Sequence, residues 1–185
     1  MPLPDELFSG DDALAEAALA LAEPGWLPEL AAALGSADQD RRWWAVRALA
    51  QLPGEAVTGA LLNAAADRDD SVRAAAIFAL GERAAPAAVV PLLFALRDAS
   101  EFMARLATDA LIHVGKPAVL GLIRALEQDA QPRVRANAAR ALALIGDTSA
   151  IPALFKALED ESALAQYWAE EGLERMGVGQ VYFKP

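Results

Sequence analysis

The clearest hydrophobic pattern in the chain lies between residues 129 and 160, where two apolar stripes are separated by a polar turn. The first stripe has the spacing of one helix face and consists of Val134, Ala138, Ala141, Leu142 and Ile145. Gly146 and Asp147 then favour a helix end and a turn. A second stripe follows, made of Ile151, Leu154, Phe155 and Leu158. The pattern predicts two helices joined by a tight connection.

This two-helix pattern recurs along the chain with a period of 31 residues. The large apolar residue near the end of each first helix recurs as Leu49, Leu80, Leu111, Leu142 and Leu173. The residue before it is always small: Ala48, Ala79, Ala110, Ala141 and Gly172. The expected helix starts are mostly N-cap residue types: Asp38, Asp69, Ser100, Gln131 and Ser162. Such repetition predicts an all-α fold, an α-solenoid of about six two-helix repeats wound as a right-handed superhelix.

The repeats fill nearly the whole chain, which we interpret as a single repeat domain. Its parts are an N-terminal cap or tail at 1–10, the repeats at 11–177 and a C-terminal tail at 178–185. The third repeat departs from the pattern because Gly81 follows Leu80 directly, so we expect an irregular turn there.

The ends of a solenoid expose apolar surface unless something covers them. Three N-terminal residues are expected to cover the first repeat: Leu3, Leu7 and Phe8. Three tail residues either cover the last repeat or contact another chain: Val181, Tyr182 and Phe183. Both alternatives for the tail remain open at this stage, and so does the oligomeric state.

Composition and charge narrow the possible partners. The chain has 185 residues, 55% of them hydrophobic, and a net charge of −10, which disfavours nucleic acid because the phosphate backbone is also negative. It has no long uncharged apolar run and no signal-peptide pattern at its start, so we expect a cytoplasmic protein that does not bind membranes. The absence of cysteine excludes disulfides and thiolate chemistry.

Two repeats carry a motif of the form V-R-x-x-A-x-x-A-L, beginning at Val72-Arg73 and at Val134-Arg135, and the second continues to Gly146-Asp147. The motif resembles HEAT-like repeats of the phycobilisome-lyase type, and the resemblance covers about residues 11–177. It implies a helical-repeat architecture, whereas proteins with such repeats have diverse functions. They include scaffolds, regulatory subunits and bilin-attaching lyase subunits.

The residues offer little for catalysis. The only histidine, His113, lies between Ile112 and Val114 and is expected to be a structural, packed or partly exposed side chain. The resemblance to HEAT-like repeats also brings in di-iron hydroxylases, whose metal sites consist of several His-Glu pairs. This chain has one histidine and does not contain such pairs. No phosphate-binding loop or nucleophile motif is present. We therefore expect no enzyme activity, no cofactor and no metal.

The second helices of such a solenoid line its concave face, where binding residues are expected. Exposed positions of these helices give an apolar centre with polar and cationic neighbours: Asn63, Val90, Phe94, Leu120, Arg124 and Lys156. An apolar centre with a polar rim is typical of protein interfaces. The alternative is that Phe94 turns into the core. We expect a protein partner, such as a helical or acidic segment, and thus a non-catalytic scaffold or adaptor; the alternative is a lyase- or chaperone-like subunit that positions a bilin-bearing or other modified protein.

A second candidate surface interleaves cations with aromatic rings: Arg41, Trp43, Trp44 and Arg47. It either binds an acidic partner or a base, or it packs against the neighbouring repeat. The recurring arginines at one repeat position, Arg42, Arg73 and Arg135, predict instead a structural ladder, in which each pairs with an acid at an adjacent turn.

Overall fold

The computed structural model describes residues 2–178. The chain divides into two compact units, Met1–Leu80 and Gly81–Pro185. Four helices lie in the first unit: α1 (Asp12–Leu19), α2 (Leu27–Ala33), α3 (Gln39–Gln51) and α4 (Glu55–Ala64). Helix α5 (Asp70–Glu82) contains the boundary between the units. Six helices follow it: α6 (Val89–Ala95), α7 (Glu101–Val114), α8 (Val119–Gln128), α9 (Pro132–Ile145), α10 (Ile151–Ala157) and α11 (Ala163–Arg175).

In the first unit, α3 packs against α1, α2 and α4. The side chains of Leu30, Leu49 and Leu61, at the repeated apolar positions, are completely buried. A short 3-10 helix, Asp5–Phe8, packs on α1 and α3 and buries Leu7 completely. The N-terminal segment therefore packs on the first repeat through Leu7, whereas Leu3 and Phe8 are half-buried.

The second unit stacks helix pairs. First helices α7, α9 and α11 contact one another in order, second helices α6, α8 and α10 do the same, and each second helix also packs on a first helix. The repeated leucines form the core: Leu92, Leu111, Leu122, Leu142 and Leu154 are all fully buried. Small residues permit the close approach, since a Cβ added at Gly172 would lie 3.0 Å from the Cβ of Ala143.

The column of predicted N-caps is confirmed by hydrogen bonds to free backbone N–H groups. The side chains of Asp38, Asp69, Ser100 and Ser162 each accept such a bond in the first turn of α3, α5, α7 and α11. Gln131 makes no side-chain cap, and Pro132 begins α9 instead. Proline suits that position because its missing N–H is one that a helix start leaves unbonded.

The irregular turn expected near Gly81 has a specific cause. Gly81 lies inside α5, and a Cβ there would stand 2.8 Å from the Cα of Ala110, so the glycine serves close packing. The helix ends at Glu82, and in the turn that follows it Ala84 adopts a φ of +47°. Ala84 occupies the repeat position of Gly115 and Gly146, whose φ values are +72° and +71°. An alanine thus adopts a positive φ at the position where the next two repeats have glycine.

The predicted tail residues Val181, Tyr182 and Phe183 lie outside the described residues. Among residues 2–178, no single helix is both long and apolar enough to cross a bilayer, and one pair, Glu101–Val114 with Lys116–Gln128, meets the criterion only together, across a bend of 118°.

Candidate functional site

On the second helices of the second unit, three large apolar side chains face solvent. Val90 and Phe94 on α6 are 75% and 78% exposed, and Leu120 on α8 is 61% exposed. Val90 and Phe94 are one helical turn apart, so they share a face. The structure places Phe94 in solvent, which excludes the alternative that its ring turns into the core. We call these three residues the apolar patch.

The buried sides of α6 and α8 explain why the patch faces solvent. Leu92 and Leu122 are fully buried. Leu92 lies two residues from both Val90 and Phe94, and Leu122 follows Leu120 by two residues. Two residues correspond to about 200° of helical rotation, so burial of the leucines directs the patch outward. The core of the unit therefore fixes the orientation of the exposed side chains.

The predicted cations beside the patch differ in their partners. Lys156 on α10 is exposed, with its Nζ atom 3.7 Å from a carboxylate oxygen of Glu127. Arg124 on α8 is exposed and forms no hydrogen bond or ion pair with any residue in the described part of the chain. Asn63 is exposed on α4, in the first unit, whereas the other five predicted residues lie in the second unit.

Beside Arg124 the surface forms a cleft between α6 and α8, with a volume of about 600 Å³. The cleft is lined by Leu93, Arg97, Gly121, Arg124, Ala125, Gln128, Asp129, Ala130 and Gln131. Gly121 lies so close to Leu93 that an added Cβ would overlap its Cδ1 atom. The prediction from sequence missed Leu93, Arg97 and Gly121. A small residue inside a helix otherwise rich in large apolar residues was the signal for the close approach at Gly121.

The side chains of the second candidate surface, in the first unit, contact one another and neighbouring residues of that unit. Trp44 is 5% exposed and its ring meets the ring of Trp43 edge-on at 4.9 Å. The guanidinium of Arg47 lies over both rings and is ion-paired with Glu16. That of Arg41 lies 4.4 Å from the ring of Phe8. This arrangement favours the packing interpretation.

The predicted arginine ladder is confirmed at two positions. Arg42 donates two hydrogen bonds to the carboxylate of Asp67, at 2.8 and 3.0 Å, and Arg135 donates the equivalent pair to Asp160, at 2.7 and 3.0 Å. Both also donate to backbone carbonyls at the preceding turn. The guanidinium of Arg73 donates to Asp70 and to the carbonyl of Asp67. These arginines fasten helices to turns and are not free for a ligand.

The ladder changes the ionisation of its carboxylates. The hydrogen bond from Arg135 lowers the pKa of Asp160, although burial acts in the opposite direction. Burial raises the pKa of Asp67, but the hydrogen bonds from Arg42 and from the backbone N–H of Asp69 outweigh it and lower the pKa overall. Both carboxylates are thus held in their charged form.

His113 lies at the surface beside one carboxylate. His113 is 57% exposed, with its Nδ1 atom 3.4 Å from a carboxylate oxygen of Glu82. Among residues 2–178, no group of three or more His, Cys, Asp or Glu side chains is placed to hold a metal ion.

Comparison with protein families identifies the repeats. The model described as HEAT repeats matches residues 58–121 and 119–181, which together are more than half of the chain. The model described as PBS lyase HEAT-like repeat matches residues 41–67. No curated protein matches the chain.

Solved structures show the same fold at low sequence identity. A designed armadillo repeat protein in complex with the peptide (KR)4 is 21% identical, with 93% of this chain and 97% of that chain covered and a TM-score of 0.56. The complex of CpcE and CpcF of phycocyanin lyase from Nostoc sp. is 23% identical over 84% of this chain and 66% of that chain, with a TM-score of 0.58. Human deoxyhypusine hydroxylase is 19% identical over 89% of this chain and 66% of that chain, with a TM-score of 0.57. All three similarities concern an α-helical repeat solenoid.

Proposed function

Because the chain belongs to the HEAT repeat family, we propose that it is a non-catalytic protein-binding scaffold or adaptor that uses the exposed face of its second helices. The observation that carries the proposal is the apolar patch. Phe94 is 78% exposed on α6, and Leu92 of the same helix is fully buried. A large aromatic ring is thus exposed to water on a helix that is packed into the core.

Covering such a patch with a partner protein makes the free energy of binding more favourable. Removal of apolar surface from water contributes about 25 cal/mol per Å², and aromatic residues at the centre of an interface often supply much of the affinity. Helices α6 and α8 are packed through the fully buried Leu92 and Leu122, and a surface that is already ordered loses less conformational entropy when a partner binds. An exposed Phe94 flanked by Val90 and Leu120 is therefore suited to act as an anchor.

The charged residues around the patch support a binding role without catalysis. Glu127 lies beside Lys156, Asp129 pairs with Arg97 at 2.6 Å, and Asp160 pairs with Arg135. These carboxylates are accounted for by structural contacts. Arg124 has no ion-pair partner among residues 2–178, and its guanidinium is a donor-only group suited to binding anions.

A second candidate function follows from the similarity to the CpcE and CpcF complex of phycocyanin lyase. The chain would then be a lyase- or chaperone-like subunit that positions a bilin-bearing or other modified protein. Visible absorption distinguishes the two functions: mixing the protein with a linear tetrapyrrole shifts or sharpens the pigment spectrum if the second candidate is right, and leaves it unchanged if the chain is a scaffold only.

Affinity co-purification tests the adaptor proposal. The wild type is compared with Phe94→Asp and with the matched control Phe102→Asp, because Phe102 is also a phenylalanine of the second unit and is 59% exposed on α7. We expect a protein that is retained by the wild type and by the control but lost with Phe94→Asp. The same set of proteins with all three baits would contradict the proposed binding face.

A further inference from the structure

The cleft between α6 and α8 combines an apolar wall with one cation, Arg124, that is unpaired in the described part of the chain. Leu93, Gly121 and Ala125 supply the wall, and Arg124 lies on the same cleft. Leu120 of the apolar patch precedes Arg124 by one helical turn, so a hydrophobic contact and a positive charge stand about 6 Å apart along α8. A ligand that reaches both must carry the two matching groups at that separation.

The other cations near the cleft are already paired. Arg97 lines the same cleft, but its guanidinium contacts the carboxylate of Asp129 at 2.6 Å and also donates to the carbonyl of Leu93. Lys156 has Glu127 beside it at 3.7 Å. Arg124 has no partner among residues 2–178. The local charge therefore matches a single anion placed at Arg124.

We propose that this cleft binds a segment of a partner protein in which an apolar side chain covers the apolar patch and one carboxylate, from Asp or Glu, pairs with Arg124. This inference rests on the proposed function and specifies the chemistry of the partner. An extended segment spans the 6 Å with about two residues. A helical segment spans it with about four.

A carboxylate fits better than a longer acidic run. The guanidinium can donate two parallel hydrogen bonds to one carboxylate, which gives both strength and orientation. The chain as a whole carries a net charge of −10, so a run of acids would be repelled by the rest of the surface. The partner segment is therefore apolar with an isolated acid, rather than polyacidic.

The test selects a phage-displayed library of random peptides on the full chain, with clones that also bind Phe94→Asp removed. We expect the enriched peptides to share an Asp or Glu at a fixed offset, two or four residues, from an apolar residue. Replacing that acid by its amide in the synthetic peptide, or changing Arg124→Gln in the protein, should each weaken binding about tenfold. Combining the two changes should add little further loss, because they remove the same contact.

A charge exchange gives the most specific outcome. Arg124→Glu should reject the enriched peptide and should bind the version that carries Lys in place of its acid. Arg105→Glu is the matched control, since Arg105 is also an exposed arginine of the second unit but lies on α7, away from the cleft. It should leave peptide binding unchanged.

The outcomes separate the two levels of the proposal. Peptides that need Phe94 but carry no shared acid, and that bind Arg124→Gln as well as the wild type, would overturn the carboxylate and leave the binding face in place. Selection that yields no peptide sensitive to Phe94→Asp would contradict the face itself.

Discussion

Leu92 and Phe94 lie two residues apart on α6, yet the first is fully buried and the second is 78% exposed. The repeat columns explain the difference. The column of Leu92 is leucine in each of the first five repeats, and all are buried: Leu30, Leu61, Leu92, Leu122 and Leu154. The column of Phe94 changes in every repeat, and all its members are exposed: Ala32, Asn63, Phe94, Arg124 and Lys156. Columns that repeat hold the fold, and exposed columns that vary are available for recognition.

The largest expected effect is in a repeating column. Leu111→Ala removes a completely buried side chain from α7 and should lower the free energy of unfolding by about 2–5 kcal/mol, because a cavity remains. Urea denaturation followed by circular dichroism measures the loss. Unchanged stability would contradict the 31-residue alignment itself.

A smaller effect is expected in the arginine column. Arg135→Met keeps most of the side-chain volume but leaves the carboxylate of Asp160, which is 11% exposed, without its guanidinium partner. The expected loss is about 1–3 kcal/mol, because a largely buried charged group loses its hydrogen bonds. Combining Arg135→Met with Asp160→Asn should recover part of the loss, and additive losses would show that the two side chains act independently.

The same pair predicts how stability depends on pH. The pKa of Asp160 is lowered in the folded protein, so the unfolded chain binds its proton more readily. The stabilisation is present above the ordinary pKa of an aspartate, near 4, and is lost as the pH falls through the lower folded value. Thermal melts between neutral and acid pH should therefore show a steeper decrease for the wild type than for Asp160→Asn. Parallel curves would contradict a contribution of the Arg135–Asp160 pair to the pH dependence of stability.

A gain in stability is expected where one repeat departs from its column. Ala84 adopts a positive φ at the position of Gly115 and Gly146. Ala84→Gly removes the strain of a left-handed alanine and should stabilise the protein by up to about 1 kcal/mol, reduced by the greater freedom of glycine in the unfolded chain. Thermal melting measures the gain, and Ala87→Gly is a control in which glycine has no strain to relieve and should destabilise. A loss of thermal stability in both variants would contradict the backbone strain inferred at Ala84.

Much of the fold follows from the sequence because each repeat packs mainly on its neighbours, so period and apolar spacing specify the contacts. The N-caps, the buried leucines and the Arg135–Asp160 pair were predictable for this reason. The function of Gly81 was not, because its need for a small side chain comes from the close approach of Ala110, a distance that no spacing rule contains. The interpretation of the chain as a single domain stays a prediction.

The site was predictable only in part. Exposure of the apolar patch follows from the helix register, but the pairing of Arg97 with Asp129 depends on side-chain geometry. Because of this pairing, Arg124 is the cation of the cleft that has no partner within residues 2–178. The pairing of Arg47 with Glu16 joins residues one period apart, so the repeat alignment contained the signal for it. The ion pairs within the protein must therefore be known before a cation is proposed to bind a ligand.

The smallest expected effect on stability belongs to the varying column. Phe94→Asp should change the free energy of unfolding by less than about 0.5 kcal/mol, because the ring is already in water. A loss comparable to that of Leu111→Ala would show that the ring contributes to the core, and would remove the distinction between the two columns.

Site-specific photo-cross-linking tests the binding face most directly. A photoreactive phenylalanine analogue replaces Phe94 in one protein and the similarly exposed Phe102 in another, and both are irradiated in lysate of the source cells. We predict a discrete cross-linked adduct from position 94 that is absent from position 102 and that disappears when unmodified wild-type protein competes. Equal cross-linking at both positions, or none at position 94, would contradict the claim that the exposed face of the second helices binds a partner protein.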